Sequence, residues 1–320
     1  MKIFEFLFLL LTPVYLFAQQ AAWELVRENF WGKVAIDPSN PNTIYVIHGD
    51  PEDYGLKKST DGGQTWVNYK QGYEGLGSGE ISGILIDPTN TQRLWVHGGS
   101  FKGIVRSEDG GLTAVRADTG IKFDHHGYSV MALAYDSRRN ILYAGDFAIP
   151  FGGIYRSLDG GRSWQQLHRY SDDVLQFAPT FYLIEEDSGW VYSASTGNGI
   201  WRSKDFAITW QALHPELLAE NAIYFVAQVP ASRTLYAVGG ELGKIYKSYD
   251  LGETWNIISP AILDSSILAG GLLVSTLDTN YLFVGAWGGS RDLGTQQCFI
   301  CLCVVEASRS IVSIDFPSHL

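Results

Sequence analysis

Six carboxylates fall in short segments rich in glycine, aromatics and imidazoles: Asp50, Glu52, Asp53, Glu80, Asp124 and Asp146. Two of them held roughly 5–9 Å apart around a sugar, one as acid and one as base or nucleophile, would suffice to cut a glycosidic bond. The acid of such a pair needs a raised pKa. Asp50, Asp53 and Asp146 are the candidates for those catalytic roles. Tyr54 and Phe147 lie close to them along the chain and offer flat faces on which a sugar ring could rest, and Phe101 is a further candidate for the ligand-binding face. The plainer reading of the same residues is a solvated acidic loop face. Asp124 with His125 and His126 invites a metal reading, but adjacent residues on a strand point to opposite sides, so both imidazoles reach one ion only from a loop. Cys298, Cys301 and Cys303 are the only cysteines, and they lack a fourth ligand at zinc-site spacing. No metal and no cofactor is expected. No Gly-x-Ser-x-Gly elbow or phosphate-cradling glycine loop offers another chemistry.

What positions these residues is a repeat. Five segments follow Ser-x-Asp-x-Gly-x-Thr/Ser-Trp with tolerated lapses: Ser59-Thr-Asp61-Gly-Gly-Gln-Thr-Trp66, Ser107-Glu-Asp109-Gly-Gly-Leu-Thr-Ala114, Ser157-Leu-Asp159-Gly-Gly-Arg-Ser-Trp164, Ser203-Lys-Asp205-Phe-Ala-Ile-Thr-Trp210 and Ser248-Tyr-Asp250-Leu-Gly-Glu-Thr-Trp255. Their first serines, at 59, 107, 157, 203 and 248, are 48, 50, 46 and 45 residues apart. A degenerate sixth copy, Ser290-Arg-Asp292-Leu-Gly-Thr295, lacks the Trp. A basic residue precedes each of the five good boxes: Lys58, Arg106, Arg156, Arg202 and Lys247. About twenty residues before each box lie two apolar strands joined by a polar turn, as in residues 34–36, 37–42 and 44–47. Each unit is thus four short antiparallel strands, a to d, in about 46 residues, which is the content of a propeller blade. The Ser and Asp side chains can hold the c–d hairpin through its own backbone, Gly can supply a positive φ, and Trp can wedge between sheets. The boxes are therefore read as structural.

The pattern resembles the Asp-box, or bacterial neuraminidase repeat, family. Similar boxes occur in sialidases, in xyloglucan-cleaving glycosidases, in the sortilin-type receptor propeller and in the photosystem II assembly and stability propellers. The resemblance implies an all-β fold, a β-propeller of four-stranded antiparallel blades, over residues 22–295. It implies little about function, because these relatives use one scaffold differently. A sialidase-like site would want an early Arg-Ile-Pro segment, and Phe147-Ala-Ile-Pro150 lacks the Arg. Residues 22–26 look like the strand that follows a box and are expected to serve as strand d of the last blade. That closure gives six blades, with seven as the alternative. Residues 296–320 match no other unit and are read as an atypical tail, an incomplete blade or a truncated end.

Strand alternation places the a–b and c–d turns on one face, and the b–c and d–a connections on the other. All the candidate residues above fall in the second group. Composition agrees with a β-rich chain: 320 residues, 35 Gly, 13% aromatic and only 18% charged. A net charge of −11 leaves no basic stripe for nucleic acid or an anionic membrane. Lys2, an apolar run over residues 4–17 and Ala18 read as a signal peptide of residues 1–18, giving a secreted, periplasmic or cell-surface protein with no membrane insertion of the mature chain. The expected function is an exported, non-catalytic propeller that recognises a protein or glycan through its variable loop face, as a monomer or as a module of a larger assembly. The alternative is a glycoside hydrolase, sialidase-like or xyloglucanase-like, that uses carboxylates of that face.

Overall fold

The computed structural model describes residues 32–48, 54–74, 81–98, 103–122, 130–146, 153–169, 179–185, 188–195, 199–213, 223–229, 232–239, 244–258, 267–274, 281–288, 299–306 and 313–314. They all belong to the larger of two compact units, residues 31–320. The candidates Asp50, Glu52, Asp53, Glu80, Phe101, Asp124, His125, His126 and Phe147 lie outside the described residues, as do residues 1–31 with their export and closing-strand expectations.

Among the described residues there are six four-stranded antiparallel sheets, each built from consecutive strands. The first holds β1 (Gly32–Ile36), β2 (Ile44–His48), β3 (Leu56–Ser59) and β4 (Val67–Tyr69). The second holds β5 (Ile81–Ile86), β6 (Leu94–Gly98), β7 (Ile104–Ser107) and β8 (Val115–Arg116), and the third β9 (Val130–Asp136), β10 (Ile141–Asp146), β11 (Gly153–Ser157) and β12 (Gln165–Arg169). The fourth holds β13 (Pro179–Glu185), β14 (Trp190–Ser195), β15 (Gly199–Ser203) and β16 (Gln211–Leu213). The fifth is β17 (Ile223–Gln228), β18 (Leu235–Gly239), β19 (Lys244–Ser248) and β20 (Asn256–Ile257). The sixth is β21 (Ile267–Val274), β22 (Tyr281–Gly288), β23 (Phe299–Glu306) and β24 (Ser313–Ile314). First strands neighbour one another in the order β1, β5, β9, β13, β17, β21, so the sheets pack face to face as the blades of a β-propeller.

The sixth sheet departs from the sequence reading. Residues 299–306 and 313–314 of the supposed tail are its third and fourth strands. The degenerate box at 290–295 consequently falls between the second and third strands, where the other boxes join the third to the fourth. Its Ser-x-Asp spelling is not matched by the position that would give the turn its work.

Between sheets, period-two alternation sorts the second strand of each blade. Tyr45, Trp95, Tyr143 and Tyr192 face the following sheet, and the aliphatics around them face the preceding one. Thus Tyr45, Ile47 and Leu56 of the first sheet pack on Leu94, Val96 and Val105 of the second, with Ile84 and Ile86 at the margin. The same positions in the first sheet, Val34 and Ile36, are 58% and 57% exposed.

The boxes are hydrogen-bonded turns. In all five, the serine Oγ donates to the aspartate Oδ1 at 2.7–2.8 Å and accepts the amide four residues on at 2.8–2.9 Å. The aspartate in turn accepts the backbone N–H and the hydroxyl of the Thr or Ser four residues after it. Both residues after the aspartate have positive φ, from 59° at Leu251 to 95° at Gly63, which is why the pair is Gly-Gly in three boxes. This conformation turns the carbonyl after the aspartate outward to the preceding sheet. Lys58 Nζ donates to Gly110 O at 3.0 Å, Trp95 Nε1 to Gly160 O at 3.1 Å, and an Arg156 guanidinium N–H to Phe206 O at 3.1 Å. Leu251 O accepts from both Arg202, at 2.9 Å, and the Tyr192 hydroxyl, at 3.0 Å. For Lys58, Arg156 and Arg202 the basic residue ahead of the box is thereby explained: it clamps the next blade's turn. Trp164 and Trp255 are buried, as a wedge should be, while Trp66 and Trp210 are half-buried and Ala114 fills the vacant position in the second box.

A second inter-sheet link was not legible from the repeat. Residues just past the fourth strand bond the last residue of the next box, Gln71 O accepting from Ala114 N and Thr119 O from Trp164 N. Gly72 and Gly120 follow, at φ 84° and 96°, and a Cβ on either would land on the carbonyl oxygen of Ala114 or Trp164. Gly160 is the natural control: φ is 73°, but nothing lies within 3.8 Å of an added Cβ. Gly160→Ala is therefore expected to cost about 1 kcal/mol in urea unfolding, the left-handed penalty alone. Gly120→Ala should cost more than about 3 kcal/mol, because strain and a backbone clash add. Equal losses would show that the close approach to Trp164 is not tight.

Candidate functional site

The pairing register defines two rims. The second strands end at His48, Gly98, Asp146, Ser195, Gly239 and Gly288, opposite Gly32, Ile81, Val130, Pro179, Ile223 and Ile267 of the first strands. The b–c and d–a connections all leave from this rim. Every carboxylate, imidazole and aromatic singled out for chemistry belongs to it, by position on β10 or by the strands its segment joins. Asp146 closes β10, paired with Val130 on one side and Gly153 on the other, after a one-residue register shift. Segment 49–53, with Asp50, Glu52 and Asp53, joins β2 to β3, and segment 123–129, with Asp124, His125 and His126, precedes β9. Tyr54 is half-buried ahead of β3. Lys70 Nζ lies 4.9 Å from its ring centroid, and its carbonyl accepts Asn68 Nδ2 at 3.3 Å. One face of that ring is therefore already occupied by a cation, which leaves at most the other for a sugar.

The opposite rim is spoken for structurally. Asp37 and Asp87 accept the amide and hydroxyl of Ser39 and Thr89 at 2.7–2.8 Å, and Asp136 accepts the Arg139 amide and guanidinium. Hydrogen bonds from the Thr65 hydroxyl and amide and from Ser59 hold Asp61 at about 2. At Asp159 desolvation pulls upward, but bonds from Ser163 and Ser157 outweigh it and also leave the group at about 2. Asp37, Asp109, Asp205 and Asp250 are shifted the same way. A carboxylate held ionised in this manner is a poor general acid. Asp37 and the five box aspartates are therefore unsuited to acid catalysis.

Strand registers mark that rim a second time. In five of the six sheets the first strand carries one extra residue against the second: Ser82, Met131, Tyr182, Tyr224 and Gly270. Only β1 pairs without a shift. Such β-bulges bend a strand and re-aim its residues, and they collect at rims and beside sites. Nothing in the sequence announced them, because an inserted residue inside an apolar strand leaves no turn signal.

His97, near the end of β6, is also part of this rim and went unrecognised as a buried group. It stands two residues after Trp95, on the side that faces the next sheet, and that spacing was the available signal. It is 6% exposed, and its Nδ1 lies 3.0 Å from Val130 O, so Nδ1 carries the hydrogen and donates. An added Cβ at Gly83 would come within 2.5 Å of Nε2, so glycine there makes room for the ring. Burial pushes the imidazole down to about 4, aided by the charge of Lys33 and opposed by the bond to Val130. His97 is thus neutral at ordinary pH and ties β6 to the start of β9.

No family model matches the chain. The xyloglucanase of Hypocrea jecorina is 24% identical to it over 289 residues, covering 75% of this chain and 34% of that protein. The chain spans between 20% and 34% of the length of the curated relatives it matches. Among solved structures, the GH74 xyloglucanase from Xanthomonas campestris superimposes with a TM-score of 0.68 at 17% identity, over 90% of this chain and 45% of that one. YCF48 bound to D1 peptide superimposes at 0.56 and 16% identity, over 88% and 81%. These likenesses establish the propeller fold.

The His97 environment predicts an acid-sensitive fold. Its folded pKa lies below the ordinary value of 6.5, so the unfolded chain takes the proton first. The associated stability is fully present above pH 6.5 and is lost as the pH falls to about 4, a span worth about 3 kcal/mol. Urea unfolding from pH 7 to 4 should show this slope in the unaltered chain and a much flatter one in His97→Gln. Parallel slopes would mean that the imidazole is not held neutral.

Proposed function

We propose that this chain is a polysaccharide-directed propeller of the Asp-box type that engages a xyloglucan-like β-glucan across its b–c and d–a rim and carries glycoside-hydrolase chemistry there. The observation that carries the reading is the similarity to xyloglucanases over three quarters of the chain. The chemistry of the rim supports it. Acidic and aromatic residues on a chain of net charge −11 favour an uncharged polymer over an anionic one such as a sialylated glycan. Asp50 and Asp53 of the segment leaving β2, and Asp146 at the end of β10, are the carboxylates proposed for acid, base or nucleophile. Asp50 and Asp53 fall between β2 and β3 along the chain, and Asp146 is the last residue of β10. Glu52, Glu80, Asp124, His125, His126, Phe101 and Phe147 are proposed to contact it. Export through residues 1–18 fits a polymer too large to enter a cell.

Recognition without catalysis is the second reading, favoured by one observation: a peptide-bound structure, that of YCF48, shares the fold over most of both chains. Purified chain incubated with xyloglucan is expected to release reducing ends. Asp50→Asn, Asp53→Asn and Asp146→Asn, made singly, should identify the pair by a fall in kcat of about a hundredfold or more at unchanged melting temperature. Xyloglucan binding with no release by the unaltered chain would assign the recognition reading instead. Neither binding nor release would end the polysaccharide assignment.

A further inference from the structure

The sixth sheet stands outside the linkage that joins the first five. Each junction among those five needs two halves. The giving sheet offers one cross-strand pair, an aromatic residue of its second strand opposite a basic residue of its third. These pairs are Tyr45 and Lys58, Trp95 and Arg106, Tyr143 and Arg156, Tyr192 and Arg202, and Tyr236 and Lys247. The receiving sheet offers a box, whose outward carbonyl accepts at Gly110, Gly160, Phe206 or Leu251. The links to Ala114 N and Trp164 N end on a box as well.

The sixth sheet has neither half. Its third and fourth strands are joined by residues 307–312, Ala-Ser-Arg-Ser-Ile-Val, which contain no Ser-x-Asp-x-Gly. At the donor pair it places Phe283 opposite Val304. The register identifies that pair: Phe283 stands two residues before the step at Gly285, as Tyr143 does before Gly145 and Tyr236 before Val238. Neither Phe nor Val has a side-chain hydrogen to donate. The fifth sheet shows the same vacancy from its own side. Lys247, the base that would clamp a box in the sixth, lies 5.1 Å from the Tyr236 ring centroid and 4.6 Å from that of Tyr249. Its ammonium thus turns back on its own sheet and its own box. The strands that follow are apolar: β21 reads Ile-Leu-Ala-Gly-Gly-Leu-Leu-Val and β22 Tyr-Leu-Phe-Val-Gly-Ala-Trp-Gly, with Leu282 fully buried. Apolar contact is non-directional and needs no fixed acceptor. Within the sheet, by contrast, β22 and β23 pair along their whole length, from Tyr281 opposite Glu306 to Gly288 opposite Phe299. A unit that is well paired internally and docked without box links is suited to open as one piece. We propose that the sixth sheet is a releasable blade, which undocks as a unit from a body formed by the first five sheets. Because β21 neighbours β17, its release opens the channel along β17 and gives access from the side as well as from the rims. The proposal is independent of what the b–c and d–a rim binds.

Native-state hydrogen exchange on the full chain, through a series of urea concentrations below the unfolding transition, tests this. Amides of residues 267–274, 281–288 and 299–306 should exchange together, through an opening about tenfold or more as populated as the one that exposes 94–98, 141–146 and 191–195. That opening should also show the smaller urea dependence, since it uncovers less surface. Lys247→Met should leave exchange of the sixth sheet within about twofold, because that ammonium makes no link to lose. A single population and a single urea slope throughout the chain would overturn the releasable blade. So would a sixth sheet loosened beyond that limit by Lys247→Met, which would show that the base does hold it.

Discussion

The fold depends on one carbonyl group. In each box the residue after the aspartate is left-handed, and in the second to fifth boxes its carbonyl accepts from a donor on the sheet before it. The Ser-Asp-Thr hydrogen bonds hold the turn rigid, so the acceptor is preorganised and the donor gives up its own freedom alone. In three of the links that donor is a Lys or Arg, and a charged donor makes a stronger bond than a neutral one. The box is therefore less a device for turning the chain than one for joining blades. The fourth and fifth boxes keep the geometry with Phe206, Ala207 and Leu251 at positive φ, where a side chain is unfavourable by about 1 kcal/mol each. The turn tolerates that strain because the links it serves exceed it: His168 Nε2 reaches the carbonyls of Ala207 and Ile208 at 3.0 and 2.8 Å, and Leu251 O takes two donors.

Committing one rim to these links has a consequence for the other. The aspartates of the a–b turns and of the boxes are saturated by local donors, and the box aspartates are held ionised, so they are unsuited to proton transfer. The b–c and d–a connections carry no such repeated duty and vary freely in length and composition. Function on a propeller collects where the repeat makes no demand.

How far this could be read in advance depends on whether a feature acts through short-range chemistry. The boxes, the Asp-Pro turns and the apolar strands are local, and the all-β propeller of four-stranded blades follows from them. The sixth sheet is where locality fails. Residues 299–305 are apolar throughout with no box after them, so only pairing with β22 identifies them as part of a third strand. The box-like spelling at 290–295 pointed the other way. The glycines at 72 and 120 needed knowledge of a neighbouring backbone, and the bulges needed the register. On the rim, the residue types were legible: Asp146 does end a second strand, and Tyr54 does stand ahead of a third. The Lys70 ammonium over the Tyr54 ring is a tertiary contact that no spacing in the chain foretells.

Repetition also constrains what a site on such a scaffold can be. Equivalent positions in different blades present different residues at nearly fixed relative positions, so a constellation can be assembled from parts that are remote in sequence without any loop having to reach far. Asp146 sits at the position that is Gly98 in the second sheet and Gly239 in the fifth. The other second strands end on His48, Gly98, Ser195, Gly239 and Gly288, so Asp146 is the one carboxylate among these six strand ends. His97, one position deeper in the second sheet, is buried, neutral and bonded to Val130, the residue that pairs with Asp146. The imidazole fixes the strand on which the carboxylate's partner lies, while contributing no charge of its own. The second sheet therefore braces the third at the end of β10, where the carboxylate-bearing residue stands.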